Sequence, residues 1–394
     1  MVADYEVMPW PERIYTRPYK LANSTEEVLI PPYYATQMQV MVNALNDMPR
    51  SDNRVTGQNG IGVLMGNSLM FQRFPDHQGY DDPQFSNFYG QTLPLLKNGV
   101  PVQTVHMENL SFKGALKDIK VLIVSYSNMK PNSEEVHKYL ADWVKKGGVL
   151  VYCGRDDDPY QGVMEWWNTK SNKYKAPSDH LFDLMKIKPE ENKRITSGKG
   201  FVYVIRQNPK EFVLKANQDK VLLDVVQQAY EKDMRAGKLE LKNSFYLERG
   251  PYDIVSVMDE HADKQPYVIN GPVIDLFDPA LPVLSSKSIN PGEQALLYNI
   301  NRIKDRSRPM VLASASRIYN EVREEKGYSF VCKSPVKTTN SMRVFLPVKP
   351  VEVSSTNAAG EKLEAVKSSW DANSGTFYLS FDNSPEGISI RLKW

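Results

Sequence analysis

The sequence predicts two structural classes in one chain: an α/β domain on a doubly wound parallel sheet, followed by an antiparallel β-sandwich. Three observations carry this. Between Lys120 and Tyr160, a buried run (Val121–Val124), an amphipathic helix and a second buried run (Val149–Cys153) follow in succession, closed by Gly154 and three aspartates. Apolar runs of strand length separated by helices predict parallel strands covered on both faces. That alternation extends from about residue 58 to 237, whereas from about 240 helical periodicity fades and Pro-Gly, Asn-Ser and Glu-Gly turn pairs separate short strand runs.

Residues 1–57 form an arm rich in aromatics and prolines that leads into a helix from Ala35 to Met48, with Met38, Met41, Val42 and Leu45 on one face. A lone helix cannot bury itself. The arm, with Trp10, Tyr15, Tyr33 and Tyr34, is therefore expected to dock on the α/β domain or on a neighbouring subunit. Residues 58–238 form that domain. Ile61–Met65 opens it, and a helix through Phe85, Phe88, Tyr89, Leu93 and Leu96 stops at Gly99. Strands are expected at Pro101–Val105, Val121–Val124 and Val149–Cys153. The helix between the last two is capped by Asn132, with Glu135 three residues on, carries Val136, Tyr139, Leu140, Trp143 and Val144 on one face, and ends at Gly147-Gly148. A short helix then starts at Ser178 or Asp179, a strand spans Phe201–Ile205, and a helix runs from Asp219 to Ala236. Residues 239–394 supply the sandwich, whose last strand, up to Trp394, alternates polar and apolar residues.

A chain of 394 residues exceeds what one core supports, in keeping with several domains. Lys and Arg total 49 against 47 acids, with no dense basic tract, so charge gives no reason to expect nucleic acid or an anionic membrane as partner. The apolar runs fall well short of the roughly 20 residues of a spanning helix. Cys153 and Cys332 fall in separate domains and read as buried thiols. The first residues show no basic segment followed by an apolar one, so no secretory signal is expected in this chain, and localisation stays unassigned. No glycine-rich phosphate loop follows Met65, and the five histidines lack metal-ligand spacing, so neither a cofactor nor a metal is expected.

In open α/β sheets chemistry gathers beyond the carboxyl ends of the strands. Cys153 stands at such an end. A nucleophilic thiol there needs small residues at two positions' distance on each side, and here these are Val151 and Arg155, with no His-x-Glu pair downstream. Cys153 is thus a degenerate nucleophile position, and no catalytic residue is assigned. Asp156, Asp157 and Asp158 follow, beside Arg155, as either a solvated loop or contributors to a hard-cation site. Tyr160, Trp166 and Trp167 come next, and aromatic rings beside carboxylates and an arginine suit a sugar site or the docking of one domain on another. Glu6, Trp10 and Arg13, on the strand and loop of the N-terminal arm, complete the ligand-binding candidates.

The sequence resembles a family at this point. Glu6-Val-Met-Pro-Trp-Pro-Glu-Arg-Ile14 with its helix, an α/β domain of the flavodoxin or class I glutamine amidotransferase type lacking its catalytic residues, and a β-sandwich together resemble the C-terminal part of family-42 β-galactosidases. Further segments similar to glycosidases of carbohydrate-degrading gut bacteria are Phe88-Tyr89-Gly90, Leu93-Pro94-Leu95-Leu96, Glu165-Trp166-Trp167-Asn168, Leu247-Glu-Arg-Gly-Pro-Tyr252 and Asp275-Leu-Phe-Asp-Pro279. In that family a catalytic barrel precedes a trimerisation domain and a small β domain. The resemblance implies an accessory, oligomerising region of a glycoside hydrolase, with a carbohydrate partner and a homodimer or homotrimer. Fifty residues cannot supply a barrel of about 250, so no catalytic glutamate carries over and the chain alone is expected to be inactive. The alternatives are a stand-alone carbohydrate-binding protein and a cysteine hydrolase of the amidotransferase type using Cys153.

Overall fold

A computed structural model describes residues 18–49, 53–55, 59–68, 85–158, 160–191, 193–363 and 366–394. Its elements begin with a two-stranded ribbon, β1 (Tyr19–Lys20) and β2 (Glu27–Val28), followed by helix α1 (Pro32–Asp47) and the short strand β3 (Asn53–Val55). The next elements are β4 (Ile61–Met65), α2 (Phe85–Leu96), β5 (Gln103–His106), β6 (Val121–Val124), α3 (Glu134–Lys145), β7 (Val149–Cys153), α4 (Pro177–Met185), β8 (Arg194–Ser197), β9 (Gly200–Ile205), α5 (Glu211–Leu214) and α6 (Asp219–Gln228). Strands alone follow, apart from one 3-10 turn at Ile300–Arg302: β10 (Ser244–Arg249), β11 (Tyr252–Val257), β12 (Tyr267–Asp275), β13 (Val283–Ile289), β14 (Gln294–Asn299), β15 (Met310–Ser314), β16 (Arg317–Glu324), β17 (Gly327–Lys333), β18 (Thr339–Phe345), β19 (Glu352–Asn357), β20 (Lys367–Asp371), β21 (Thr376–Asp382) and β22 (Ile388–Lys393). The chain forms two compact units. One is Gly57–Phe245 with Met258–Lys264, and the other joins the segment ending at Thr56 to Tyr246–Val257 and Gln265–Trp394.

In the α/β unit the sheet order is β5-β4-β6-β7-β9-β8. All neighbours pair in parallel except β8, which runs antiparallel on the edge. Alternate side chains of one strand enter opposite cores, as strand geometry requires. Leu122, Val124, Leu150 and Tyr152 meet α3 and α4 through Val136, Leu140, Val144, Leu181 and Phe182. Val121, Ile123, Val149, Val151 and Cys153 meet α2, α5 and α6 through Leu95, Phe212, Leu222 and Val226. Both faces are covered, and this is why the strands read as unbroken apolar runs.

The N-cap position of helix α3 is Ser133 rather than Asn132, one residue later than the sequence suggests, and the Ser133 side chain makes no capping hydrogen bond. It ends where expected, because Gly147 takes φ +124, a conformation that a residue with a Cβ resists. The helix expected from Asp219 to Ala236 is α-helical only to Gln228 and closes in a π turn over Ala229–Asp233. Gly90 has a packing reason. A Cβ there would lie 1.9 Å from the Pro209 carbonyl oxygen, so only glycine lets α2 abut the turn that starts α5.

The antiparallel unit differs from the single sandwich expected over 239–394. Strands β13-β12-β14-β11-β10-β3 make one six-stranded sheet, and two four-stranded sheets, β15-β18-β21-β20 and β16-β17-β22-β19, make the sandwich proper. The inner faces of the sandwich close over Tyr328, Phe330, Met342, Val344, Leu379 and Ile390. Residues 53–55 reach the six-stranded sheet by pairing with Leu247–Arg249, a long-range partnership that no local pattern encodes.

The N-terminal helix, expected to dock on the α/β domain or on a neighbouring subunit, packs within the antiparallel unit. Val40, Ala44 and Met48 of α1 pack with Tyr252, Ile274, Leu296, Leu312 and Phe345 of the antiparallel unit. Thr36 Oγ1 donates to the Thr339 carbonyl at 2.8 Å, and Gln37 Nε2 to that of Phe277 at 2.5 Å. Tyr33 and Tyr34 lie on the exposed side, and Trp10 and Tyr15 fall outside the described residues. Among the described residues no helix is long and apolar enough to cross a membrane.

Candidate functional site

The carboxyl ends of β6, β7 and β9 bring together the segments Ser125–Lys130, Gly154–Asp158 and Arg206–Glu211. Here the sequence expectation of an aspartate run facing a ligand meets a different geometry. Asp158 turns inward and forms an ion pair with Lys130 at 2.6 Å, each side chain 7% exposed. Its carboxylate also accepts from the backbone N–H groups of Asn128 (3.3 Å) and Tyr160 (3.0 Å) and from Gln161 Nε2 (3.1 Å). Asp156 accepts from the Tyr152 hydroxyl, from Ser178 Oγ at 2.7 Å and from Arg206 at 2.7 Å. Asp157 is exposed but receives Asn208 Nδ2 at 2.9 Å.

Asn208 closes the ring. Its Oδ1 accepts from Ser127 Oγ at 3.0 Å and from the Arg155 N–H at 3.1 Å, joining the ends of all three strands. Arg155 itself is paired with Glu211, which also receives Lys215 at 2.7 Å and the Asn208 N–H at 3.2 Å. Hydrogen bonding from Arg155 leads the causes that hold the Glu211 carboxyl down at about 2. Burial in turn lowers Lys130 from its ordinary value, against the pull of Asp158.

Beneath this layer the aromatic residues form a cluster. Trp167 is 1% exposed, so the structure removes it from the stacking surfaces expected of a sugar site, and its ring meets Trp166 edge-on at 5.8 Å. Trp166 is half-buried and donates Nε1–H to the Pro131 carbonyl at 2.8 Å. Its edge contacts His137 and His180, each at 5.1 Å. The two histidines share a hydrogen bond between their Nδ1 atoms at 2.9 Å, one donating and the other accepting. Burial pushes both imidazoles below the ordinary 6.5, His137 far below it. Unfolding frees them to protonate, so their contribution to stability is fully present above pH 6.5 and is lost as the pH falls below it. The thermal midpoint should therefore fall on acidification from pH 6.5, and His137→Phe should flatten that part of the curve. A wild-type midpoint that is level between pH 6.5 and 5 would refute the neutral pair.

Cys153 is fully buried among Val151, Ile205 and Phe212, and burial alone pushes its thiol far up. A thiolate nucleophile needs the opposite environment. Glu6, Trp10 and Arg13 lie outside the described residues. Of the remaining candidates, the structure brings Arg155, Asp156, Asp157 and Asp158 into one network, leaves Tyr160 half-buried at its margin, and sets Trp166 and Trp167 beneath it. Sequence reasoning missed Lys130, Arg206, Asn208 and Glu211. The available signal was their position: each follows the end of a buried strand within a few residues. Among the described residues no group of three or more His, Cys, Asp or Glu side chains is placed to hold a metal ion.

No protein-family model matches this sequence, and no curated protein matches it. Solved structures with a distant likeness to part of it include a β-galactosidase from Bacillus circulans sp. alkalophilus, at 12% identity and TM-score 0.38 over 67% of this chain and 43% of that one. A β-galactosidase from the Antarctic haloarchaeon Halorubrum lacusprofundi gives 14% and 0.38 over 66% and 42%. Gan42B, a GH42 β-galactosidase from G. stearothermophilus, gives 16% and 0.35 over 60% and 40%. The matched region spans about two fifths of those chains. Likeness at this distance transfers neither a site nor an activity.

Proposed function

We propose that this chain is an accessory region of a carbohydrate-active glycoside hydrolase, with a degenerate amidotransferase-like α/β unit that mediates self-association. The observation that carries the reading is the occupied sheet edge. Where an α/β enzyme keeps its reacting groups open, Asp156 and Asp158 are consumed by Arg206 and Lys130, and Cys153 is buried without a base. Such an edge stiffens the unit and leaves its outer helices as the working surface. Tyr89 and Leu93, one turn apart on α2, are 49% and 42% exposed, and Leu214, at the end of the adjoining α5, is 71% exposed. An apolar group of this kind fits a second copy under closed symmetry. The glycoside hydrolase assignment draws on the order of segments in the sequence and on its resemblance to family-42 enzymes.

Light scattering should give a mass above the 44.9 kDa of one chain. The double change Leu93→Glu/Leu214→Lys should return it to that mass. The same preparation should turn over no nitrophenyl glycoside and should alkylate Cys153 slowly in iodoacetamide. A monodisperse monomer, or rapid alkylation blocked by an amide substrate, would sink the proposal.

A further inference from the structure

The antiparallel unit contains a cleft of about 450 Å³, floored by β15 and walled by the last turns of α1 and by β16. Small-molecule sites occupy this size range. Six lining side chains define its chemistry: Asn43 and Asp47 from α1, and Arg317, Tyr319, Glu321 and Arg323 from β16. Two carboxylates are balanced by two guanidinium groups. A charged ligand of either sign meets its own charge there, whereas a neutral polyhydroxylated one meets both donors and acceptors.

The local structure holds three of these groups, Asn43, Glu321 and Arg323, before any ligand arrives. Strand β16 is a sheet edge, and its register with β17 slips between Tyr319 and Val322, where Asn320 takes φ +51. A bulge of this kind bends an edge strand and re-aims its side chains. Glu321 then accepts from the Tyr328 hydroxyl at 2.6 Å and pairs with Arg323. Arg323 in turn donates Nε–H to the Pro309 carbonyl at 3.0 Å and lies 5.1 Å over the Tyr328 ring. On the opposite wall Asn43 Nδ2 donates to the Ser314 carbonyl at 2.9 Å, anchoring α1 to β15. Tyr319 remains 42% exposed, an aromatic ring at the mouth of a polar cleft. Burial, and then the Glu321 charge, raise the Asp47 carboxyl above its ordinary value, in keeping with both acids sharing the cleft.

We propose that this cleft binds a neutral saccharide of one or two rings, with Tyr319 stacking on a pyranose face and Asp47, Glu321 and Arg317 hydrogen-bonding its hydroxyls. The site stands apart from the accessory role of the α/β unit, and either reading can fail without the other. Glu321 and Arg323, already held by the Tyr328 hydroxyl and the Pro309 carbonyl, lose little freedom on binding.

The test is calorimetric titration of the full chain with glucose, galactose, lactose and cellobiose, each taken to roughly 50 mM, where at least one should saturate with a Kd of about 0.1–5 mM. Tyr319→Ala and Glu321→Gln should each weaken that binding by about tenfold or more, while Tyr319→Phe, which keeps the ring, should retain most of it. Tyr160→Ala, in the other unit, should leave it unchanged. Amide shifts of the unaltered protein on adding the sugar should centre on β16 and the end of α1, a readout independent of whether a variant folds. Absence of heat with all four sugars, binding indifferent to Tyr319→Ala, loss on Tyr160→Ala, or heat with calcium chloride alone would each overturn the proposal.

Discussion

Replacing Lys130 with methionine should destabilise the α/β unit by about 3–5 kcal/mol, because removing one member of a buried ion pair strands the other. Lys130 and Asp158 are each 7% exposed, and the Lys130 ammonium also donates to the Tyr126 carbonyl at 2.7 Å. The hydrogen bonds that Asp158 keeps from Asn128, Tyr160 and Gln161 place the loss toward the lower end of that range. The double variant Lys130→Met/Asp158→Asn should recover part of it, since the amide removes the stranded charge and keeps one acceptor oxygen, while its NH2 faces N–H donors that the other carboxylate oxygen had accepted from. Urea unfolding followed by tryptophan fluorescence measures both. A single variant within about 0.5 kcal/mol of the parent would show that the pair is no more than a surface contact.

Trp167→Ala is the second large effect, a loss of about 3–5 kcal/mol from the cavity left by an indole in a packed interior. Trp167 lies against Trp166, which in turn braces the histidine pair, so the loss should extend beyond the missing ring. Tyr160→Ala, half-buried at the rim, should cost far less. This contrast tests the assignment of the Trp166-Trp167 pair to packing, because an exposed stacking platform would lose ligand affinity and leave the unfolding midpoint in place.

The parallel sheet was legible because its strands are covered on both faces. Val121–Val124 and Val149–Cys153 carry no polar interruption, and their limits in the structure match the sequence reading. Helix ends were less legible, since Asn132 and Ser133 are both N-cap residue types and the helix starts after Ser133 without a side-chain capping bond, so the path of the chain sets the boundary. The antiparallel region was legible as strands and not as sheets. Period-two alternation identifies an edge without naming its partner, and the pairing of residues 53–55 with 247–249 leaves no local trace. At the candidate site the aspartates stood out as charges. What the sequence concealed was their neutralisation, because Lys130, Arg206 and Glu211 are near them only once three strands lie side by side.

The pairing of β3 with β10 also sets a timetable for synthesis. Residues 53–55 leave the ribosome about 190 residues ahead of their partner, with all of the α/β unit but Met258–Lys264 in between. At roughly 5–20 residues per second, that edge of the six-stranded sheet waits on the order of 10–40 s for its neighbour. Meanwhile the apolar stripe of α1 has nothing of its own unit to cover it. The inserted unit, whose own strands lie close in sequence, can fold during the wait. Co-translational assembly would thus proceed from the middle of the chain outward, leaving the nascent N-terminal segment as the stretch most in need of a chaperone.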